Sequence, residues 1–193
     1  MKEIVKTPVV LGLSNLIYLD SPSLNKQLNV SLHFQKLSSI MEGNCTQSKI
    51  QNLASLKTQL KNNCSEVVYF LAHSDKRKGM YIGENSNVNG EKLAALFSNQ
   101  QQRIPKIVIF NTCYGVQSGL VEACLGVGVE TVVASEGAIT IKFMDRYMER
   151  IFEELKDRRR TLPTAVERVN KEFEEIWGEF IVFKNEDYGK GID

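Results

Sequence analysis

Two side chains able to act together on a carbonyl, His73 and Cys113, stand forty positions apart in this chain. A free thiol is only a few per cent ionised near neutrality, and an imidazole beside it can take its proton during nucleophilic attack. Each residue closes an apolar run: Val67 to Ala72 precedes the histidine, and Ile107 to Asn111 precedes the cysteine. If those runs are neighbouring strands, their axes lie about 4.8 Å apart, and local turn geometry suffices to bring the two groups together. Functional groups of an open α/β sheet gather beyond the carboxyl ends of its strands, where both residues fall. A helix starting near Ser118 would add a partial positive charge favouring thiolate. A cysteine ending an apolar strand is also commonly a small buried hydrophobe. The turn-forming Ser74 after His73, and Gly115 after Tyr114, are what set this pair apart.

The elements that must position the pair follow from periodicity. Val67 to Leu71 is a continuous apolar run rich in β-branched and aromatic residues, suited to a strand buried on both faces. Gly79 to Glu84 reads as a hairpin arm. Asn89 offers an N-cap to a helix with Leu93, Leu96 and Phe97 on one face, and Pro105 precedes the strand Ile107 to Phe110. The alternation repeats with a helix carrying Leu120, Val121, Cys124 and Leu125, a turn at Gly126 and Gly128, and a strand from Thr131 to Ala134. Two amphipathic helices follow. One carries Met144, Tyr147, Met148, Ile151, Phe152 and Leu155; the other carries Val166, Val169, Phe173 and Ile176, with Pro163 in its first turn. Phe180 to Phe183 closes the chain as a strand. Toward the N-terminus, Pro8 to Leu13 and Asn29 to Phe34 read as strands, and Gln47 to Leu60 as a helix through Ile50, Leu53, Leu56 and Leu60. Strands alternating with such helices predict one α/β domain over residues 1–193, with a mainly parallel central sheet and helices on both faces.

Composition narrows the function. The chain has 24 Lys and Arg against 23 Asp and Glu, a net charge of +1, so no global field favours nucleic acid or an anionic membrane. No apolar run approaches the roughly 20 residues of a membrane span. Four dispersed cysteines show neither zinc-site pairing nor disulfide density, which suits a soluble protein of a reducing cytoplasm. The glycines at 126 and 128 precede a strand rather than open a helix, so they form a turn and not a dinucleotide loop. The loop after Cys113 lacks the Arg a phosphatase would need. No metal or other cofactor is expected. His33 reads as a strand surface residue, Cys124 as core, Cys45 and Cys64 as loop thiols, and Arg158 to Arg160 as a solvated helix end.

The runs VVYFLAHSDKRKGMYIGENSNVNGEKLAALF and IPKIVIFNTCYGVQSG resemble the caspase-like cysteine peptidases, and more closely their bacterial CHAT-domain branch. That family has an apolar strand ending in His, a small hairpin, a helix, and an apolar strand ending in Cys within a small-residue turn. The resemblance continues through TVVASEGAIT, the helix beginning near Phe143, the helix containing Ala165 and the strand at Phe180, covering roughly Glu66 to Asp193. It implies a three-layer caspase-like fold and hydrolysis of a protein or peptide substrate through an acyl-enzyme on Cys113, assisted by His73. It implies an oxyanion hole from the backbone N–H groups of Ser74 and Cys113, Ser74 standing where the family usually has Gly. It also implies that Asn111, Ser135 and Glu136 contact the substrate, which suits a basic or polar side chain before the cleaved bond. Association with a regulatory protein or a CRISPR-type effector, in antiviral defence or signalling, is a further implication. A catalytically silent protein-binding module is the alternative that Ser74 and the short N-terminal half leave open.

Overall fold

The computed structural model describes residues 14–20, 24, 27–62, 65–84, 86–98, 104–156, 160–173 and 180–187. A six-stranded sheet runs in the order β2-β1-β3-β7-β8-β9. Its strands are β1 (Ser14–Leu19), β2 (Cys45–Ile50), β3 (Val67–Leu71), β7 (Ile107–Asn111), β8 (Thr131–Ser135) and β9 (Phe180–Lys184). All neighbours pair parallel except β9, which lies antiparallel on β8. A second, three-stranded antiparallel sheet comprises β4 (Ser74–Asp75), β5 (Gly79–Ile82) and β6 (Ser86–Val88). The helices are α1 (Val30–Ile40), α2 (Leu53–Asn62), α3 (Gly90–Ser98), α4 (Leu120–Gly126), α5 (Ile141–Lys156) and α6 (Leu162–Glu172).

Strand alternation sorts the core into two halves. Leu16, Tyr18, Val67, Tyr69, Leu71, Ile109 and Val133 face α1, α5 and α6. Ile17, Leu19, Val68, Phe70, Val108, Phe110 and Val132 face α2, α3, α4 and the small sheet. With both faces covered, the central strands are apolar throughout, which is why β3 and β7 were legible as unbroken runs. At about 25 cal/mol per Å² of apolar surface removed from water, burial of this kind dominates the fold's stability.

Four sequence expectations change. Asn29 to Phe34 forms no strand: the Asn29 side chain accepts from the Leu32 N–H at 3.0 Å and caps α1. His33 is therefore not a strand surface residue but lies buried on that helix with Phe34 and Leu37. Gln47 to Ile50 belongs to β2, a half-exposed parallel edge strand, and the helix begins only at Leu53. The helix expected near Ser118 starts at Leu120, so Cys113 lies outside its first turn. The expected strand from Pro8 to Leu13, together with Cys64, Arg158, Arg159 and Ile176, lies outside the described residues. Arg160, just before α6, joins Arg168 of α6 (3.0 Å) on the carboxylate of Glu154, tying both to α5.

Candidate active site

Parallel pairing of β3 with β7 sets Tyr69 beside Ile109 and Leu71 beside Asn111. The two chains thus leave the sheet side by side, His73 two residues past Leu71 and Cys113 two residues past Asn111. Tyr69, Leu71 and Ile109 face α1, α5 and α6, and Cys113, two residues past the end of β7, packs against the same cluster. The Ser74 hydroxyl donates to the Cys113 carbonyl and ties the two loops together. Lys76 stands 4.8 Å over the Tyr114 ring, a second link between them.

His73 is half-buried, its carbonyl accepts from the Tyr81 N–H (2.8 Å), and its Nε2 is buried without a partner. Burial holds the ring below the usual imidazole range, so it is neutral near pH 7 and able to accept a proton. Cys113 is a half-buried free thiol whose Sγ lies 3.5 Å from the Ile139 carbonyl oxygen. Asn111 Oδ1 and Thr112 Oγ1 are likewise buried and unpartnered. Buried polar atoms are nearly always satisfied in folded proteins, and three of the unpartnered ones cluster at the ends of β3 and β7.

The turn after β7 is built for a constrained backbone. Tyr114 has φ 51°, a left-handed conformation that costs a residue with a side chain about 1 kcal/mol or more and that clusters at active sites. Its N–H donates to the Gly137 carbonyl (2.9 Å), and the Val116 N–H donates to Ser135 (3.0 Å). A Cβ at Gly115 would stand 3.0 Å from that of Ala134, tighter than ordinary packing, so a side chain there would press on β8. Ser74, by contrast, is not a positive-φ residue, so its backbone does not require glycine.

The predicted substrate-contacting residues fall in three settings. Asn111 is fully buried, and its Nδ2 donates to the Tyr69 hydroxyl at 2.6 Å. Ser135 is also fully buried, with its hydroxyl donating to the Thr112 carbonyl and the Gly137 carbonyl 3.3 Å away, thereby bracing the turn. Glu136 is exposed on the segment that follows.

The structure as a whole is similar to the X-ray structure of an inactive zymogen of a C11 protease from Parabacteroides distasonis, with a TM-score of 0.65 at 11% sequence identity. What the two share is the fold, a mostly parallel central sheet with helices on both faces. That match covers 93% of this chain but 64% of the C11 protease chain, so the present chain spans less than two thirds of its neighbour's length. No family model and no curated protein matches the sequence. In this fold His73 and Cys113 stand just beyond the carboxyl ends of two adjacent central strands.

Sequence reasoning missed one group. His33, Asp145 and Glu149 bring ligand atoms within 4.8 Å of one another, a spacing that would suit a metal ion. Lys36 already supplies the cation, its Nζ lying 2.6 Å from Glu149 and 3.5 Å from Asp145. The helical spacing of His33, Phe34 and Leu37 was the signal that would have placed this histidine inside. Among the described residues, no helix is long and apolar enough to cross a membrane.

Proposed function

We propose that this chain is a caspase-like cysteine endopeptidase of CHAT type that cleaves a protein partner through Cys113 and His73. The observation that carries the reading is the parallel register of β3 and β7, which releases the two residues side by side with Ser74 bonded to the Cys113 carbonyl. His73, kept neutral by burial, takes the thiol proton as sulfur attacks the scissile carbonyl carbon. The carbonyl π pair moves to oxygen, where the N–H groups of Cys113 and Ser74 receive the oxyanion. Collapse breaks the C–N bond, the imidazolium returns its proton to the departing amine, and a thioester remains on Cys113. Water, deprotonated by His73, then displaces the thiolate and releases the carboxylic acid. Asn111, Glu136 and the turn held by Ser135 form the substrate side of this reading. A regulatory protein within a bacterial defence or signalling assembly is its natural complement, since an unrestrained cytoplasmic protease is harmful.

Two observations favour a silent protein-binding module instead: Sγ faces the Ile139 carbonyl, and His73 Nε2 has no partner. On the peptidase reading the thiol turns from that carbonyl to the imidazole when substrate binds. A peptide acyloxymethyl ketone decides between them. Selective labelling of Cys113 that is lost in His73→Ala supports the peptidase, and equal, slow labelling of all four thiols selects the module. A peptide library screened with wild type and Cys113→Ala then gives the cleavage preference.

A further inference from the structure

A hairpin loop beside the site consists only of cations. Asp75 pairs with Gly79 across β4 and β5, and Lys76, Arg77 and Lys78 between them are all exposed. The sequence of the loop holds it in one shape. Asp75 Oδ1 accepts from the Arg77 N–H at 2.9 Å and from the Lys78 N–H at 3.2 Å, so the one carboxylate of the turn is taken up by its own backbone. Gly79 closes the loop at φ 78°, a left-handed conformation, and a Cβ there would run into the Val88 carbonyl oxygen of β6.

Other cations of the described surface meet carboxylates: Lys49 with Asp20, Lys106 with Glu66, Arg150 with Glu172 and Lys171 with Glu167. Among the described residues none of the three loop cations is paired in this way. Lys76 is instead held 4.8 Å over the ring of Tyr114, the residue after Cys113. An aromatic face attracts an ammonium group without cancelling its charge, so Lys76 is fixed at the rim of the site and still attracts an anion. The flanks differ. Lys78 lines a hollow with Lys92 and Glu84, and Arg77 lines another with Glu91 and Glu122. These carboxylates bound the positive patch on both sides and limit it to the length of the loop, over which an extended chain presents about three residues.

We propose that Lys76, Arg77 and Lys78 form a docking surface for a short acidic stretch of a partner polypeptide, seated beside Cys113. A nucleic acid fits the patch less well. Its phosphate charge continues in both directions and would run onto Glu84, or onto Glu91 and Glu122, whereas a run of a few Asp or Glu ends where the patch ends. The net charge of +1 supplies no wider field to hold a polyanion. That the docked stretch belongs to the polypeptide cleaved at Cys113 rests on the peptidase reading; the docking itself does not.

Fluorescence anisotropy on the full chain carrying Cys113→Ala tests the docking without cleavage. The probes are a labelled Gly-Ser peptide with three central glutamates, the same peptide with glutamines, and a short oligothymidylate. The glutamate peptide is expected to bind about tenfold more tightly than the glutamine one, the scale of several exposed charge pairs acting together, and to weaken as salt is raised. Lys76→Gln, Arg77→Gln and Lys78→Gln together should remove that difference. Arg146→Gln, Lys156→Gln and Lys171→Gln take the same charge from exposed positions of α5 and α6, across the sheet from β5, and should preserve it. Equal binding of the two peptides, equal loss in both triple variants, or tighter binding of the oligothymidylate overturns the proposal. With active protein, a cleavable peptide extended by the three glutamates should show a raised KM in the loop variant at unchanged kcat, as for a contact made equally before and during reaction. A fall in kcat at unchanged KM overturns the proposal as well. If wild type cleaves no peptide, the peptidase reading fails, while the anisotropy still decides the docking.

Discussion

The two faces of the central sheet are packed by different rules. On the side of α2, α3 and α4 the strands offer Val68, Phe70, Val108, Phe110 and Val132, with the Phe70 and Phe110 rings stacked at 5.6 Å and 10°. The opposite side is as well buried, yet between α1 and α5 it admits His33, and beneath the strand ends it admits Tyr69 and Asn111 joined by hydrogen bonds. Cys113 packs against this second side. One face is built for stability alone, whereas the other spends part of its interior on polar groups joined by hydrogen bonds. Mutations on the two faces should therefore separate stability from activity.

The largest effect is expected from Cys113→Ala, which on the peptidase reading lowers turnover of a peptide substrate by about a thousandfold or more. Its melting temperature is expected to stay near that of wild type, because the thiol is half-buried and makes only a weak contact with the Ile139 carbonyl. Phe110→Ala should do the reverse on the apolar face. It empties a fully buried site and removes the stacked partner of Phe70, a loss of about 3–5 kcal/mol of folding free energy measured by urea titration. Cys113 labelling in the folded fraction should change little. A Phe110 variant that loses reactivity without losing stability would erase the distinction between the faces.

A smaller effect concerns pH. His73 has its affinity for a proton lowered by burial from the ordinary 6.5. Below that pH the unfolded chain takes up a proton that the folded one resists, so stability falls as pH drops through this range and is retained above it. His73→Asn should flatten that decline, visible as a smaller difference between urea midpoints at neutral and mildly acidic pH. An unchanged decline would mean that burial of the ring is not what opposes its protonation.

Legibility from sequence followed the same physics. Strands β3, β7 and β8 lie inside the sheet with both faces covered, so their unbroken apolar runs could hardly be anything else, and the residues ending them could be placed before any coordinates. Strand β2 lies at an edge, where Thr46, Gln47 and Lys49 meet solvent or half-meet it; nothing in its composition announces a strand, and its pairing with β1 is a tertiary event. The segment Asn29 to Phe34 alternates well enough to pass for a strand, but the Asn29 cap and the packing of His33, Phe34 and Leu37 against the sheet make it helical. That single misassignment hid the buried hydrogen bonds of His33, because a histidine on an exposed strand has no reason to meet Asp145. The left-handed Tyr114 was also illegible, since only the surrounding turn imposes its conformation.

The smallest effect tests the link between the two loops. Ser74→Ala removes the hydroxyl that donates to the Cys113 carbonyl and leaves the β4 backbone as it is. The expected cost is about 1 kcal/mol or less in urea, the usual net worth of one hydrogen bond at a half-buried position. Ser74→Gly loses the same bond and adds conformational freedom to the unfolded chain, so it should be less stable than the alanine variant by about 0.5–1 kcal/mol. Glycine is not required here by backbone angle. If Ser74→Gly proved the more stable of the two, the serine backbone would be under strain, and the hydroxyl bond would be holding the Cys113 loop against that strain rather than simply joining it to β4.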